Sequence, residues 1–233
     1  MFNAPHPDYA APVSRRPPHF VIAVDGPAAS GKGTIAKALA RHYGLPHLDT
    51  GKLYRATGLA VHLAGSDPAD AAAAALAAES LDPRLLDEPD LMSSANAEAA
   101  SIVSAHPGVR AALLARQRAF AAQTGGAVLD GRDIGTVIAP DASAKLFVTA
   151  ASEERARRRW KELVGKGEAC ELADVLADIA ARDARDSGRS AAPLRRADDA
   201  ALLDTTELGI EAAVQRAIAL VEQAISQDDQ QKV

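Results

Sequence analysis

The sequence predicts an α/β fold, a parallel sheet flanked by helices, on three observations. Short apolar runs rich in strand formers recur at 20–24, 45–49, 126–130, 144–150 and 199–204. Longer segments of helical periodicity separate them, the alternation that buries a parallel sheet between helical layers. The polar clusters fall just after these runs, at the carboxyl ends of strands, where such sheets bind their ligands.

The elements follow in order. Residues 1–18 contain scattered prolines and no apolar segment of the signal-peptide kind, so a disordered leader is expected. Phe20–Val24 is the first strand, and "DGPAASGKGT" (25–34) is a glycine-rich turn opening into the helix "IAKALARHYG". "LPHLD" (45–49) is a short second strand. In the segment 51–65, Leu53, Ala56, Ala60 and Leu63 stand at helical spacing. Residues 66–99 are alanine-rich and acidic, broken by Pro68, Pro83 and Pro89, and predict a small helical insertion. A helix over 107–123 carries Pro107 in its first turn, and strands at 126–130 and 144–150 follow. The helix 152–163 begins with Ser152 as its expected cap and an acidic first turn. Another helix at 171–186, a last strand at 199–204 and an amphipathic helix at 209–226 complete the chain.

Bulk properties exclude several functions. The 233 residues are 48% hydrophobic and 24% charged, the profile of a soluble globular protein. With a net charge of -5 and no long Lys/Arg run, the chain lacks the basic face that nucleic-acid binding needs. No apolar stretch reaches the ~20 residues of a membrane helix. One cysteine, Cys170, permits no internal disulfide and fits a reducing cytosol, so a cytoplasmic location is expected. The six histidines show no metal-ligand spacing.

The loop after the first strand has the makings of a phosphate cradle. Gly26 and Gly31 let the chain of Pro27, Ala28, Ala29 and Ser30 fold with its N–H groups inward. The helix that opens near Lys32 adds its positive end, and Lys32 itself a full charge. Gly33 stands where the general phosphate-loop pattern has a metal-binding hydroxyl, while Thr34 is placed to orient a phosphate oxygen. Arginines then cluster in four further places: Arg55 after Thr50, Arg110, Arg132 with Asp133, and Arg182 with Asp186 and Arg189. Planar guanidinium groups clamp phosphates bidentately, so several of them from distant segments predict a second anion site. Positions 182, 186 and 189 fall within about 60° on a helix, provided the helix runs through Gly188.

"DGPAASGKGT", "LDTGKLYR", "VRAALLARQRAF", "LDGRDIGT", "SEERARRR" and "RDARDSGRSAAPL" together resemble the cytidylate kinases, from Phe20 to the final helix. "GKGT" is the form this loop takes in nucleoside monophosphate kinases generally; "GRDIGT" is the more specific mark. The resemblance implies a P-loop kinase fold with a monophosphate-binding insert and a mobile lid. It divides the chain into core (19–65, 126–154 and 190–227), insert and helices (66–125), lid with the sugar-binding helix (155–189) and tail (228–233). Many members carry a longer, partly β insert; here a mainly helical one is expected.

The implied reaction is transfer of a phosphoryl group from ATP to CMP or dCMP, with Mg²⁺, by a monomer. Carried over residue by residue, Gly26–Thr34 would hold ATP, with Arg155 and Arg159 of the lid. Ser101, Arg110 and Asp133 would read the cytosine edge. Arg182 and Asp186 would hold the sugar, and Arg55, Arg132 and Arg189 the CMP phosphate near Thr50. Lys32, Arg132, Arg159 and Arg189 would act on the transferring group, with Asp130 as partner of the hydrated metal. The alternatives are another small P-loop kinase, or a nucleotide switch with no acceptor.

Overall fold

The structure, a computed structural model, describes residues 19–231; the leader expected at 1–18 lies outside them. Strands β1 (His19–Asp25), β2 (His47–Asp49), β3 (Gly125–Gly131), β4 (Ala144–Thr149) and β5 (Ala201–Asp204) form one sheet in the order β2-β3-β1-β4-β5. Every pairing is parallel. Alternate residues of β1 enter two different cores, Phe20, Ile22 and Val24 on one face and Val21 and Ala23 on the other. A strand buried on both sides reads as a continuous apolar run, as "FVIAV" does.

Helices α1 (Lys32–Tyr43) and α8 (Ile210–Gln231) cover the first face. In α8, Ala213, Ala217, Val221 and Ile225 recur every fourth residue and are all buried. This helix runs on into the expected tail, through Gln231. Helix α5 (Pro107–Ala121) and a single π turn at Ile134–Ile138 cover the second face.

The insertion has its own core. Helices α2 (Thr50–Leu63), α3 (Ala71–Glu79) and α4 (Ser94–Val103), with two 3₁₀ turns between α3 and α4, pack Leu53, Val61, Leu81, Leu91 and Val103 against Leu113 of α5. The region is helical throughout, as its composition predicts. One detail differs: Leu63 is 69% exposed. The buried stripe of α2 is Leu53, Thr57 and Val61, a four-residue repeat that drifts away from Ala60 and Leu63 as α4 packs along it.

Helices α6 (Ser152–Gly165) and α7 (Leu172–Gly188) form a hairpin around Ala156, Leu163, Val175 and Ile179. Trp160 packs against this cluster, and its indole donates to the Cys170 carbonyl at 3.0 Å. Ser152 is not the cap. Ala151 holds that position without a side-chain bond, and the Ser152 hydroxyl instead accepts from Arg155 at 3.0 Å. Helix α7 does run through Gly188, and Arg189 follows it in an extended conformation. No helix among the described residues is long and apolar enough to cross a membrane.

Candidate active site

Two adjacent strands carry the site. In the β1–β3 ladder Asp25 lies level with Gly131, so the turn leaving β1 and the turn leaving β3 emerge side by side.

The turn after β1 can only start with glycine. A Cβ on Gly26 would lie 2.0 Å from the Val148 carbonyl oxygen. Ala29 is held at φ 58, the left-handed region that alanine rarely enters, the kind of local strain that concentrates at functional loops. Gly31, at φ 87, precedes α1, and no side chain caps that helix. Its first N–H groups therefore face the turn as an anion cradle. Lys32 donates to the Pro27 carbonyl at 3.3 Å. Burial, followed by the charge of Arg132, pulls its ammonium down to about 7. Thr34 is exposed in the first turn of α1.

The turn after β3 is pinned by Asp25. Its carboxylate accepts from the Ile134 and Gly135 N–H groups, both at 2.8 Å. Burial pushes Asp25 up to about 6 against the pull of those two donors. These bonds fix the backbone just after Arg132 and Asp133. Asp133 then pairs with Arg110 from α5, and both are buried. Arg110 also sits 5.5 Å from the centre of the Tyr54 ring, so α2 completes this corner. Ser101, on α4, is buried, and its hydroxyl accepts from Arg185 at 3.1 Å.

Between the two turns lies a cationic cluster. Arg132 donates to Asp186 at 2.7 Å, and Arg189 approaches the other oxygen of that carboxylate at 3.9 Å. Burial would raise Asp186, but Arg132, Arg182 and Arg189 outweigh it and hold the carboxyl below its ordinary range. Burial, with Arg132 next, pulls the Arg182 guanidinium down to about 9. The Arg182 Nε and an Arg189 Nη have no hydrogen-bond partner among the described residues. Arg55 is lowered too, by burial and then by Arg159. It spends one nitrogen on the Leu91 and Ser93 carbonyls, at 3.2 and 3.4 Å. Asp186 is the carboxylate at the centre of the cluster, with Asp49, Asp130, Asp133 and Glu162 acting on its margins, and the cations still outnumber them. That is a site built for several negative charges.

The structure thus brings Lys32, Arg55, Arg132, Arg159, Arg182, Asp186 and Arg189 within electrostatic reach of one another. The Arg110–Asp133 pair forms a neighbouring corner, and Ser104, whose hydroxyl donates to the Ser101 carbonyl at 2.9 Å and whose carbonyl accepts from Arg110 at 3.4 Å, links Ser101 to it. Arg155, expected at the donor phosphates, has protein partners on every side-chain nitrogen. It donates to the Ala150 and Ala28 carbonyls, to Ser152 and to both oxygens of Asp183, which makes it a brace between the loop and α7. Arg158, one position from the expected Arg159, reaches the loop rim. Its guanidinium lies 3.9 Å from where a Gly31 Cβ would stand, and it donates to the Thr205 carbonyl at 2.6 Å. Thr205 in turn donates to the Ser30 carbonyl at 3.0 Å. Sequence gave no signal to separate Arg155, Arg158 and Arg159, since the tertiary partners Asp183 and Thr205 decide among them.

Asp130, next to last in β3, lies beside the loop. One carboxylate oxygen is 2.7 Å from His47 Nε2, and the other would lie 3.6 Å from a Gly33 Cβ. The hydroxyl of Thr50 donates to the Asp130 backbone carbonyl at 2.8 Å. His47 was not singled out in the sequence; it is the β2 residue that fixes this carboxylate.

A P-loop beside a second, arginine-built anion site on a five-stranded parallel sheet defines a P-loop phosphotransferase. The relatives narrow the class. The family model of cytidylate kinase matches residues 22–223. A cytidylate kinase of Methylocella silvestris is 60% identical over 205 residues, covering 88% of this chain and 95% of its own. A cytidylate kinase of Xanthobacter autotrophicus is 61% identical over 203 residues, covering 87% and 97%. The chain belongs to the cytidylate kinase family. Among solved structures, an uncharacterized protein from Eubacterium ventriosum shares the fold, with a TM-score of 0.51 at 12% identity over 88% of this chain and 99% of that one.

Proposed function

We propose that this protein transfers the γ-phosphoryl group of ATP directly to CMP or dCMP, as a cytoplasmic monomer. One observation carries the reading. Arg132, which follows β3, and Arg182 of α7 lie close enough to Lys32 to lower its ammonium, which supports two anion sites facing each other. A nucleotide switch needs only the first of these sites. Phosphoryl transfer needs both, because its catalysis is mostly alignment and charge neutralisation.

The loop 26–34 cradles the donor phosphates through backbone N–H groups, with Lys32 on the outer oxygens. Arg158 and Arg159 close from α6, while Arg155 serves the same site by holding the Ala28 carbonyl. Arg55, Arg132 and Arg189 hold the acceptor phosphate. Arg182 and Asp186 hold the sugar, and Arg110, Asp133 and Ser101 read the base. The acceptor is already an anionic oxygen at neutral pH, so no strong base is required. Lys32, Arg132, Arg159 and Arg189 neutralise the charge that spreads over the moving phosphoryl group.

The described residues contain no group of three His, Cys, Asp or Glu able to hold a metal ion alone. That fits Mg²⁺, which binds chiefly through substrate phosphates and its own water. Asp130, oriented by His47 and facing the loop, would hold those waters. When bound, the ion supplies charge neutralisation between the donor phosphates.

Initial rates with CMP, dCMP, UMP, AMP and shikimate as acceptors test the proposal. CMP and dCMP should be preferred; AMP turning over fastest would end the base assignment. Slow ATP hydrolysis unaffected by CMP would favour the switch.

Lys32 adds a measurable proton. The ammonium is pulled from an ordinary 10.5 to about 7, so it is mostly neutral in the empty site at pH 8. Below about 7 the charge is present and its burial opposes folding; that opposition fades as pH rises toward 10.5. Donor phosphates restore the charge, so ATP binding at pH 8 should take up close to one proton. Calorimetry in buffers of different ionisation heat should show this uptake at pH 8 and much less at pH 6. Identical enthalpies in all buffers at pH 8 would mean that Lys32 stays charged without nucleotide.

A further inference from the structure

A cavity of about 240 Å³ opens beside the Arg110–Asp133 pair, lined also by Tyr54, Leu114 and Gln117. Gln117 follows Arg110 by two turns of α5, and the two side chains share the face turned to this space. It is 1% exposed, a position where a leucine would pack without polar cost. Its amide faces the Tyr54 hydroxyl, and Tyr54 is itself fixed beneath the Arg110 guanidinium. Its carbonyl oxygen, Oε1, is buried and has no hydrogen-bond partner among the described residues. A buried carbonyl without a donor is costly, and a ligand with an N–H to offer would relieve that cost.

We propose that Gln117 is a specificity-determining residue of the base pocket, its Oε1 accepting from the exocyclic amine of cytosine. The inference rests on the reading that Arg110 and Asp133 face the base. The chemistry of the lining supports the choice of base. Two walls, Asp133 and Gln117 Oε1, accept, and one, Arg110, donates. Cytosine presents an amino donor where uracil presents a carbonyl acceptor. Uracil would set its oxygen against the acceptor wall and leave Gln117 unmet, and a site built around such a bond discriminates strongly against the analogue that lacks the donor. Asp133, paired with Arg110, has part of its accepting capacity already committed. Gln117 supplies an acceptor that no donor among the described residues occupies.

The test is initial-rate kinetics with CMP and UMP on Gln117→Met, Gln117→Leu and Gln117→Glu, alongside Asp133→Asn, with thermal unfolding of each variant. In the Met and Leu variants KM for CMP should rise about tenfold. KM for UMP should hold or fall, and KM for ATP should hold. The CMP-to-UMP preference therefore narrows about tenfold or more, whereas Gln117→Glu, which keeps an acceptor, should retain it. A parallel loss for both acceptors would make Gln117 a packing residue and overturn the proposal. Narrowed preference in Asp133→Asn but not in the Gln117 variants would overturn it while leaving the base pocket in place. Unchanged preference in all four would place the base elsewhere and overturn both. If the Met and Leu variants do not fold, the Glu variant decides alone, and loss of its CMP preference counts against the proposal.

Discussion

Lys32→Met is expected to lower kcat by about 10³-fold, with a smaller rise in KM for ATP. The backbone cradle of 26–31 keeps the conformations of Gly26, Ala29 and Gly31 after the change and loses one bond, from the lysine to the Pro27 carbonyl. Binding of the donor therefore persists, while the positive charge that follows the phosphoryl group is lost. Methionine suits the space because the lysine is half-buried and its stem is apolar. The loss should be larger than for a surface lysine, where water would compensate. Single-turnover rates measured against equilibrium ATP binding separate the two effects. An equal fall in affinity and in rate would place Lys32 in ground-state binding alone.

Asp133→Ala should act on the acceptor side only. The carboxylate pairs with Arg110 in a corner where both side chains are at most 9% exposed. Removing one member of a buried pair strands the other, at a cost to folding of about 3–5 kcal/mol. Catalytic efficiency with CMP should fall by about 1–3 kcal/mol or more through the unmet base contact. ATP affinity should barely move, because the loop after β1 keeps Asp25 and both of its backbone bonds. Chemical denaturation reads the first quantity, and kinetics at saturating ATP reads the second. Equal losses for both nucleotides would remove the base-reading role from this residue.

The sequence carries most of this architecture because its signals are local. "HFVIAVD" followed by a glycine turn can bury its strand only in a sheet covered on both faces, and the structure pairs β1 on both edges. The insert is legible for the opposite reason: alanine and proline without β-branched runs leave only short helices. What stayed hidden is what neighbours decide. Arg158 and Arg159 differ by about 100° of helix rotation, and only Thr205, forty-seven residues further on, makes Arg158 the one at the loop rim. Ser152 had the chemistry of a cap but found Arg155 as a closer partner. Asp25 opens the glycine-rich loop segment and His47 lies in a short strand, but neither position reveals its partner. Their roles come from what β3 sets beside them, namely the N–H groups of Ile134 and Gly135 and the carboxylate of Asp130.

The level placement of Asp25 with Gly131 bears on what can move during turnover. The phosphate loop and Arg132 leave from neighbouring strands that share a ladder of backbone bonds, so the sheet sets the distance between them. Motion is left to the two helical attachments, α2–α4 on one side and α6–α7 on the other. The second carries an apolar centre of its own, while the first shares its centre with α5. Movement of these attachments would bring Arg55, Arg182 and Arg189 toward that fixed pair or away from it as nucleotides enter and leave.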